Sequence, residues 1–200
     1  MLRPFPDELN RMQPLFAGAA QNQGFLLLSL EMPLSTAAFA IQMADELGLR
    51  VMLDPGGQPP EVSVDFSPLF QHPIFLLKPN AEEASRLTGV SVDDFASAKE
   101  AAGLLLEKNV SHLLITHGPH GAYAFTKEGA WHIITPNLPA PPYAESTGCG
   151  DQVLAVLCAN LLHGRPFIEA CRKAVLAGSL QYVQRGRDPI PPDHPEFDPK

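Results

Sequence analysis

Apolar residues recur along the chain in short blocks, and the spacing inside each block predicts its secondary structure. Phe25 to Leu30 is a continuous apolar run without alternation, as expected of a strand covered on both faces. Pro33 and Ser35 then open a helical pattern through Ala38, Ile41, Ala44 and Leu47, which stops at Gly48. Val51 to Asp54 reads as a second strand, closed by Pro55-Gly56-Gly57. Ile74 to Leu77 is a third, followed by a short helix from Asn80 to Thr88. Asp93 starts a longer helix that runs through Leu106, and His112 to Thr116 is a fourth strand. Ala122 to Phe125 and Trp131 to Ile134 follow closely, and Lys127-Glu128-Gly129 between them suggests a hairpin. Two helices complete the series, Gly150 to Leu162 and Pro166 to about Val183.

This order of elements predicts an α/β layered domain with a largely parallel sheet and an antiparallel edge. Ligands of such sheets lie beyond the carboxyl ends of the strands. The segments to search are therefore Glu31-Met32-Pro33, Lys78-Pro79-Asn80, His117-Gly118 and the loop before Gly148. No internal repeat is visible.

Composition narrows the class. The 200 residues are 45% hydrophobic and 18% charged, below the roughly 25% typical of soluble domains, and this balance argues against wholesale disorder. One domain is expected over residues 1–188, followed by a poorly ordered Pro-rich tail over 189–200. A net charge of −8 speaks against a nucleic-acid partner. Apolar stretches such as Phe25 to Leu28 are far shorter than the about 20 residues that cross a bilayer, so no membrane partner is expected. No basic segment followed by an apolar run opens the chain, which argues against a secretory signal. The three cysteines, Cys149, Cys158 and Cys171, form neither a disulfide framework nor a CxxC zinc motif, which fits a cytoplasmic location. Proline, at 21 residues, clusters between periodic segments and acts as punctuation.

The strongest chemical signal is Ser146-Thr147-Gly148-Cys149-Gly150-Asp151, directly ahead of an apolar helix. Glycines at a helix start let a ligand approach the outward-pointing N–H groups, and the helix's positive end favours an anion such as phosphate. Asp151 in the first turn could take a proton from an attacking hydroxyl beside that phosphate. The same residues also suit a plain capped start, with Thr147 as cap and Asp151 facing the helix dipole. Cys149 sits where a thiol pKa can fall, but no histidine triad accompanies it. His117 and His120 lack a third metal ligand.

Two further segments, read with this one, resemble the ribokinase-like (PfkB) family of carbohydrate kinases. Asn80-x-x-Glu83 is similar to the family's Asn-x-x-Glu motif. Thr116-x-Gly118-x-x-Gly121 is similar to its nucleotide loop, and Gly148-Cys149-Gly150-Asp151 to its Gly-Ala-Gly-Asp signature. Leu28 to Pro33 and Leu53-Asp54-Pro55 also resemble the sugar-side strands of that family. The resemblance runs from about Leu15 to Pro191.

The resemblance implies a three-layer α/β/α fold lacking the family's N-terminal sugar-binding and lid region, so that strand edges stand open and homo-oligomers become plausible. It implies ATP-dependent phosphorylation of a sugar hydroxyl, with Asp151 as catalytic base and the amides of Gly148, Cys149 and Gly150 as anion hole. Asn80, Thr116, Gly118 and Gly121 would bind nucleotide, Glu83 would hold Mg²⁺ through water, and Glu31 with Asp151 would contact the sugar. Glu145 stands where the family has Asp in a monovalent-cation site, which leaves that cation open. Cys149 replaces Ala, Gln152-Val153 replaces Ala-Phe, and Val175 replaces an Asn near the adenine. The competing expectation is a non-catalytic, nucleotide-binding remnant of such a kinase.

Overall fold

The apolar runs become strands of one sheet. The computed structural model describes residues 6–57, 64–136, 138–186 and 188–191, with His194 and Phe197. Strands β1 (Phe25–Ser29), β2 (Arg50–Asp54), β3 (Ile74–Leu77) and β4 (Val110–Thr116) are followed by β5 (Ala122–Thr126) and β6 (Ala130–Ile133), and they lie in chain order. The first four are parallel neighbours, with Leu28 opposite Leu53, Leu53 opposite Leu77 and Leu77 opposite Leu113. Consecutive residues Met52-Leu53, Leu76-Leu77 and Leu113-Leu114-Ile115 are all fully buried, as in a sheet covered on both faces. Strand β1 departs from that expectation. It ends the sheet, and its Leu27 is 43% exposed.

The helices are α1 (Pro6–Gln21), α2 (Leu34–Glu46), α3 (Ala81–Thr88), α4 (Phe95–Leu106), α5 (Cys149–Leu162) and α6 (Phe167–Val183). Local chemistry sets their starts. Asn80 and Glu83 form a reciprocal capping box at α3, and Asp94 with Ser97 forms another at α4. Gly89 closes α3 in the left-handed conformation. Helix α1 went unread in the sequence because its prolines mask it. Pro6 takes the first helical position, where no N–H is required, and Pro14 is carried inside the helix while Phe16 is buried. Among the described residues no helix is long and apolar enough to cross a membrane.

The chain divides into two compact units, residues 1–116 with 125–130 and residues 117–124 with 131–200, where the sequence reads as one domain to residue 188. In the first unit α2 packs on β1 and β2, and α4 packs on β4. In the second, α5 and α6 pack along one another. Two described residues of the terminal segment make contacts with α5 and α6. Gln152 donates to and accepts from the backbone of Ile190, both at 3.2 Å, and Lys173 Nζ donates to Phe197 O at 3.0 Å. Ile190 and Phe197 are buried, which takes their apolar area out of water.

Candidate active site

Parallel pairing of β2 and β3 places their last residues side by side at the carboxyl end of the sheet. The Lys78 amide donates to Leu53 O at 2.8 Å, so the Asp54 and Lys78 side chains emerge together. Lys78 Nζ meets Asp54 Oδ2 at 2.7 Å, with the ammonium almost wholly buried. A buried ammonium persists only with a charged partner, and Asp54 supplies it. The other Asp54 oxygen accepts from the Gly56 amide at 3.0 Å.

Asn80, two residues on, caps α3. Its side chain accepts from the Glu83 amide and its own amide donates to Glu83 Oε2, both at 2.8 Å. Asn80 is therefore a helix cap in its own right. Asn80 also bridges to Thr116 at the end of β4, and the Thr116 amide donates to Pro79 O at 3.0 Å. Asn80 thus lies beside both Glu83 and Thr116. Burial is the largest influence on Glu83 and pushes its carboxyl above the ordinary value; the Asn80 amide opposes this and the Asp54 charge adds to it.

The turn after β2 completes this group. A Cβ on Gly56 would stand 3.2 Å from both Asp54 Oδ1 and Glu83 Oε1, so the two carboxylates face one small opening. Two carboxylate oxygens converging on such an opening, with an ammonium beside them, fit a hard divalent cation and a phosphate. On Gly57, at φ +96°, a Cβ would lie 2.8 Å from Glu31 Cγ. Glu31 is exposed just beyond β1, its side chain laid against this turn. Sequence reasoning missed Asp54, Lys78 and both glycines as site residues. The available signal was a lysine directly after a continuous apolar strand, a position that buries its charge.

The second unit holds the remaining candidates. Gly148 occupies the N-cap of α5 at φ 81°, ψ −9°, and no side chain caps the helix. The reading of Thr147 as cap is thereby corrected, because a left-handed glycine carries the chain into the helix instead. The Cys149 amide donates to Ser146 O at 3.1 Å, so it joins an anion hole only by exchanging that bond. Asp151 lies in the first turn of α5 and is exposed, while Gly148, Cys149 and Gly150 are half-buried. The Cys149 thiol is pushed up by burial and by the Glu145 carboxylate, against the expectation of a lowered value.

In the Thr-x-Gly-x-x-Gly loop, residues Gly118–His120 form a 3₁₀ turn closed by Gly121 N donating to Gly118 O at 3.1 Å. Gly121 is required by packing as well as by φ 88°, because a Cβ would collide with Ile133 O. The rings of His117 and His120 stand 4.8 Å apart, and His117 Nδ1 lies 3.3 Å from the Tyr123 hydroxyl. Among the described residues no cluster of histidine, cysteine and carboxylate side chains could hold a metal by itself.

Four parallel strands with charged side chains at their carboxyl ends make a ligand-binding α/β domain of the layered kind. Residues 8–193 match the pfkB family carbohydrate kinase, and the chain belongs to that family. The chain is 29% identical to the ribokinase of Arabidopsis thaliana over 173 residues, 86% of this chain and 44% of that one. It is 31% identical to the Haemophilus influenzae ribokinase over 161 residues, 80% of this chain and 50% of the relative. The structure of Arabidopsis thaliana ribokinase complexed with ribose and ATP superimposes with a TM-score of 0.76 at 25% identity, covering 88% of this chain and 54% of that one. The chain spans about half the length of these relatives.

Proposed function

We propose that this chain carries the ATP-side machinery of a sugar kinase and transfers the γ-phosphoryl group of ATP to a sugar hydroxyl. The observation that carries this reading is the exposed Asp151 carboxylate one turn into a helix whose glycine start no side chain caps. Open amides at a helix start stabilise charge on a moving phosphoryl group, and an adjacent carboxylate accepts the proton of the attacking hydroxyl. The sugar oxygen then bonds to phosphorus as the bond to the ADP oxygen breaks.

In this reading Asp151 is the base, and the amides of Gly148, Cys149 and Gly150 form the anion hole. Asn80, Thr116, Gly118 and Gly121 line the nucleotide, and Glu31 accepts from sugar hydroxyls. Glu83, joined by Asp54, would hold Mg²⁺ through water. The ion neutralises phosphate charge when bound. Lys78 adds a fixed positive charge beside it. Ribose and ATP, the ligands of the Arabidopsis thaliana ribokinase complex, make a pentose the first substrate to try. Three free cysteines suit a reducing cytoplasmic compartment.

A second reading, a nucleotide-binding module that does not turn over, is favoured by one observation: the Cys149 amide, which the anion hole needs, already donates to Ser146 O. One experiment separates the two. ADP release is measured with a panel of pentoses and hexoses, for the chain as it stands and for Asp151→Asn. Sugar-dependent release that Asp151→Asn abolishes, with ATP still bound, supports the kinase. Release that survives unchanged rejects Asp151 as base, and ATP binding without release on any sugar selects the second reading.

A further inference from the structure

Two adjacent glycines form the turn after β2, and each has a carboxylate residue where its side chain would be. For Gly56 the occupants are Asp54 Oδ1 and Glu83 Oε1, each 3.2 Å from the Cβ position. For Gly57 they are Glu31 Cγ at 2.8 Å, with Glu31 N at 2.9 Å and Cα at 3.0 Å. These contacts draw on separate parts of the unit: Glu31 follows β1, whereas Glu83 lies in the first turn of α3.

Gly56 is the informative member of the pair. Its φ lies outside the left-handed region, so its own backbone would accept a side chain. Alanine at such a position ordinarily stabilises a fold by restricting the unfolded chain. What a side chain here would crowd is the pair of acids. A methyl group between them would press on both oxygens, displace them by a few tenths of an ångström and strip water from the face they share. Gly57 differs, since its φ of +96° supplies a backbone reason as well as the contact with Glu31.

We propose that Gly56 and Gly57 are positioning residues that set two functions separately: Gly56 keeps the opening between Asp54 and Glu83 clear for a cation-bound phosphate, and Gly57 seats Glu31 against the turn for the sugar hydroxyl. The inference rests on the proposed function and adds what divides its two ligand sides. A turn with a merely structural duty would affect both ligands together. A turn that positions Glu31 independently of Asp54 and Glu83 gives separable defects.

The test measures binding, not turnover. Mn²⁺ is titrated in the presence of ADP and followed by the paramagnetic resonance of the free ion, while D-ribose and D-glucose are titrated calorimetrically. Gly56→Ala is expected to weaken Mn²⁺ binding about ten-fold with sugar affinity and melting temperature held, since small misplacements of such groups are costly. Gly57→Ala is expected to weaken sugar binding by about the same factor and leave Mn²⁺ with ADP unchanged. Glu31→Ala, which removes the seated side chain without touching the turn, repeats that arm where Gly57→Ala fails to fold, with sugar affinity lowered and Mn²⁺ unchanged. Equal loss of both ligands in Gly56→Ala, or no loss of either, overturns the inference. Failure of the unsubstituted chain to bind Mn²⁺ with ADP or any sugar rejects the proposed function itself, and the inference falls with it.

Discussion

Lys78 and Asp54 form an ion pair of 2.7 Å across neighbouring strand ends, with side chains 4% and 13% exposed. The pair is asymmetric, because Asp54 also accepts the Gly56 amide and keeps a little solvent, while the ammonium has almost none. Removing one partner of a buried pair costs about 3–5 kcal/mol, mostly by stranding the other charge. Asp54→Asn should therefore destabilise more than Lys78→Met, which leaves a carboxylate that still has an amide and some water. Urea unfolding at pH 7 of both variants and of the double variant checks this. The double variant should recover part of the Asp54→Asn loss, and strict additivity would show that the pair contributes no coupling.

Glu83 makes stability depend on pH in a defined direction. Its folded carboxyl titrates above its ordinary value of 4.5, chiefly because burial penalises the charged form. The native state thus holds this proton more tightly than the unfolded chain does. The associated stability is complete below pH 4.5 and is lost as pH rises through the folded value. Glu83→Gln, which preserves a capping-box acceptor, has no such titration. Unfolding free energies measured between pH 4 and 7 should shift in favour of Glu83→Gln as pH rises. A difference that stays flat across this window contradicts the shift.

Helices α5 and α6 meet at Gly178, where an added Cβ would stand 2.6 Å from Val153 Cγ2 and 3.5 Å from Cys149 O. Helix propensity alone favours alanine over glycine by about 1 kcal/mol. Overpacking a close helix contact costs about 1–3 kcal/mol and should win. Gly178→Ala is expected to lower the melting temperature, and Val153→Ala should restore much of the loss by making room. The carbonyl of Cys149 belongs to the glycine turn that opens α5, so the same shift reaches the proposed anion hole. Phosphate affinity should fall in Gly178→Ala and recover in the double variant.

What the sequence makes legible follows from local physics. Buried parallel strands such as Leu113-Leu114-Ile115 advertise themselves as apolar runs, and Asn80-x-x-Glu83 states a helix start in its own residue types. Helix α1 stays hidden because Pro14 contradicts helical propensity, which tertiary burial of Phe16 overrides. The ion pair of Lys78 with Asp54 is invisible locally, since it depends on which strands become neighbours. The start of α5 is legible as a glycine turn, but its left-handed Gly148 and the absence of a side-chain cap required coordinates. Gly56 is the least legible of all: what a side chain there would crowd is Asp54 and Glu83, and its own φ gives no sign of it.

Asn80 holds two roles that one substitution cannot separate but two can. As N-cap its side chain accepts from the Glu83 amide at 2.8 Å, and truncation of such a cap costs about 1 kcal/mol. As a proposed nucleotide contact it stands beside a carboxylate pair, Asp54 and Glu83, that repels phosphate unless a cation is present. Asn80→Ala removes the cap and one neutral contact. Asn80→Asp keeps the cap, suits the helix dipole, and adds a third negative charge where phosphate would lie. Stability should therefore fall in Asn80→Ala and stay within about 0.5 kcal/mol of the parent in Asn80→Asp. Affinity for ATP should follow the opposite order, with Asn80→Asp the weaker binder and the more dependent on added Mg²⁺. Thermal unfolding and ATP calorimetry on the same preparations read both quantities. If stability and affinity change in the same order across the two variants, Asn80 is a cap and nothing more.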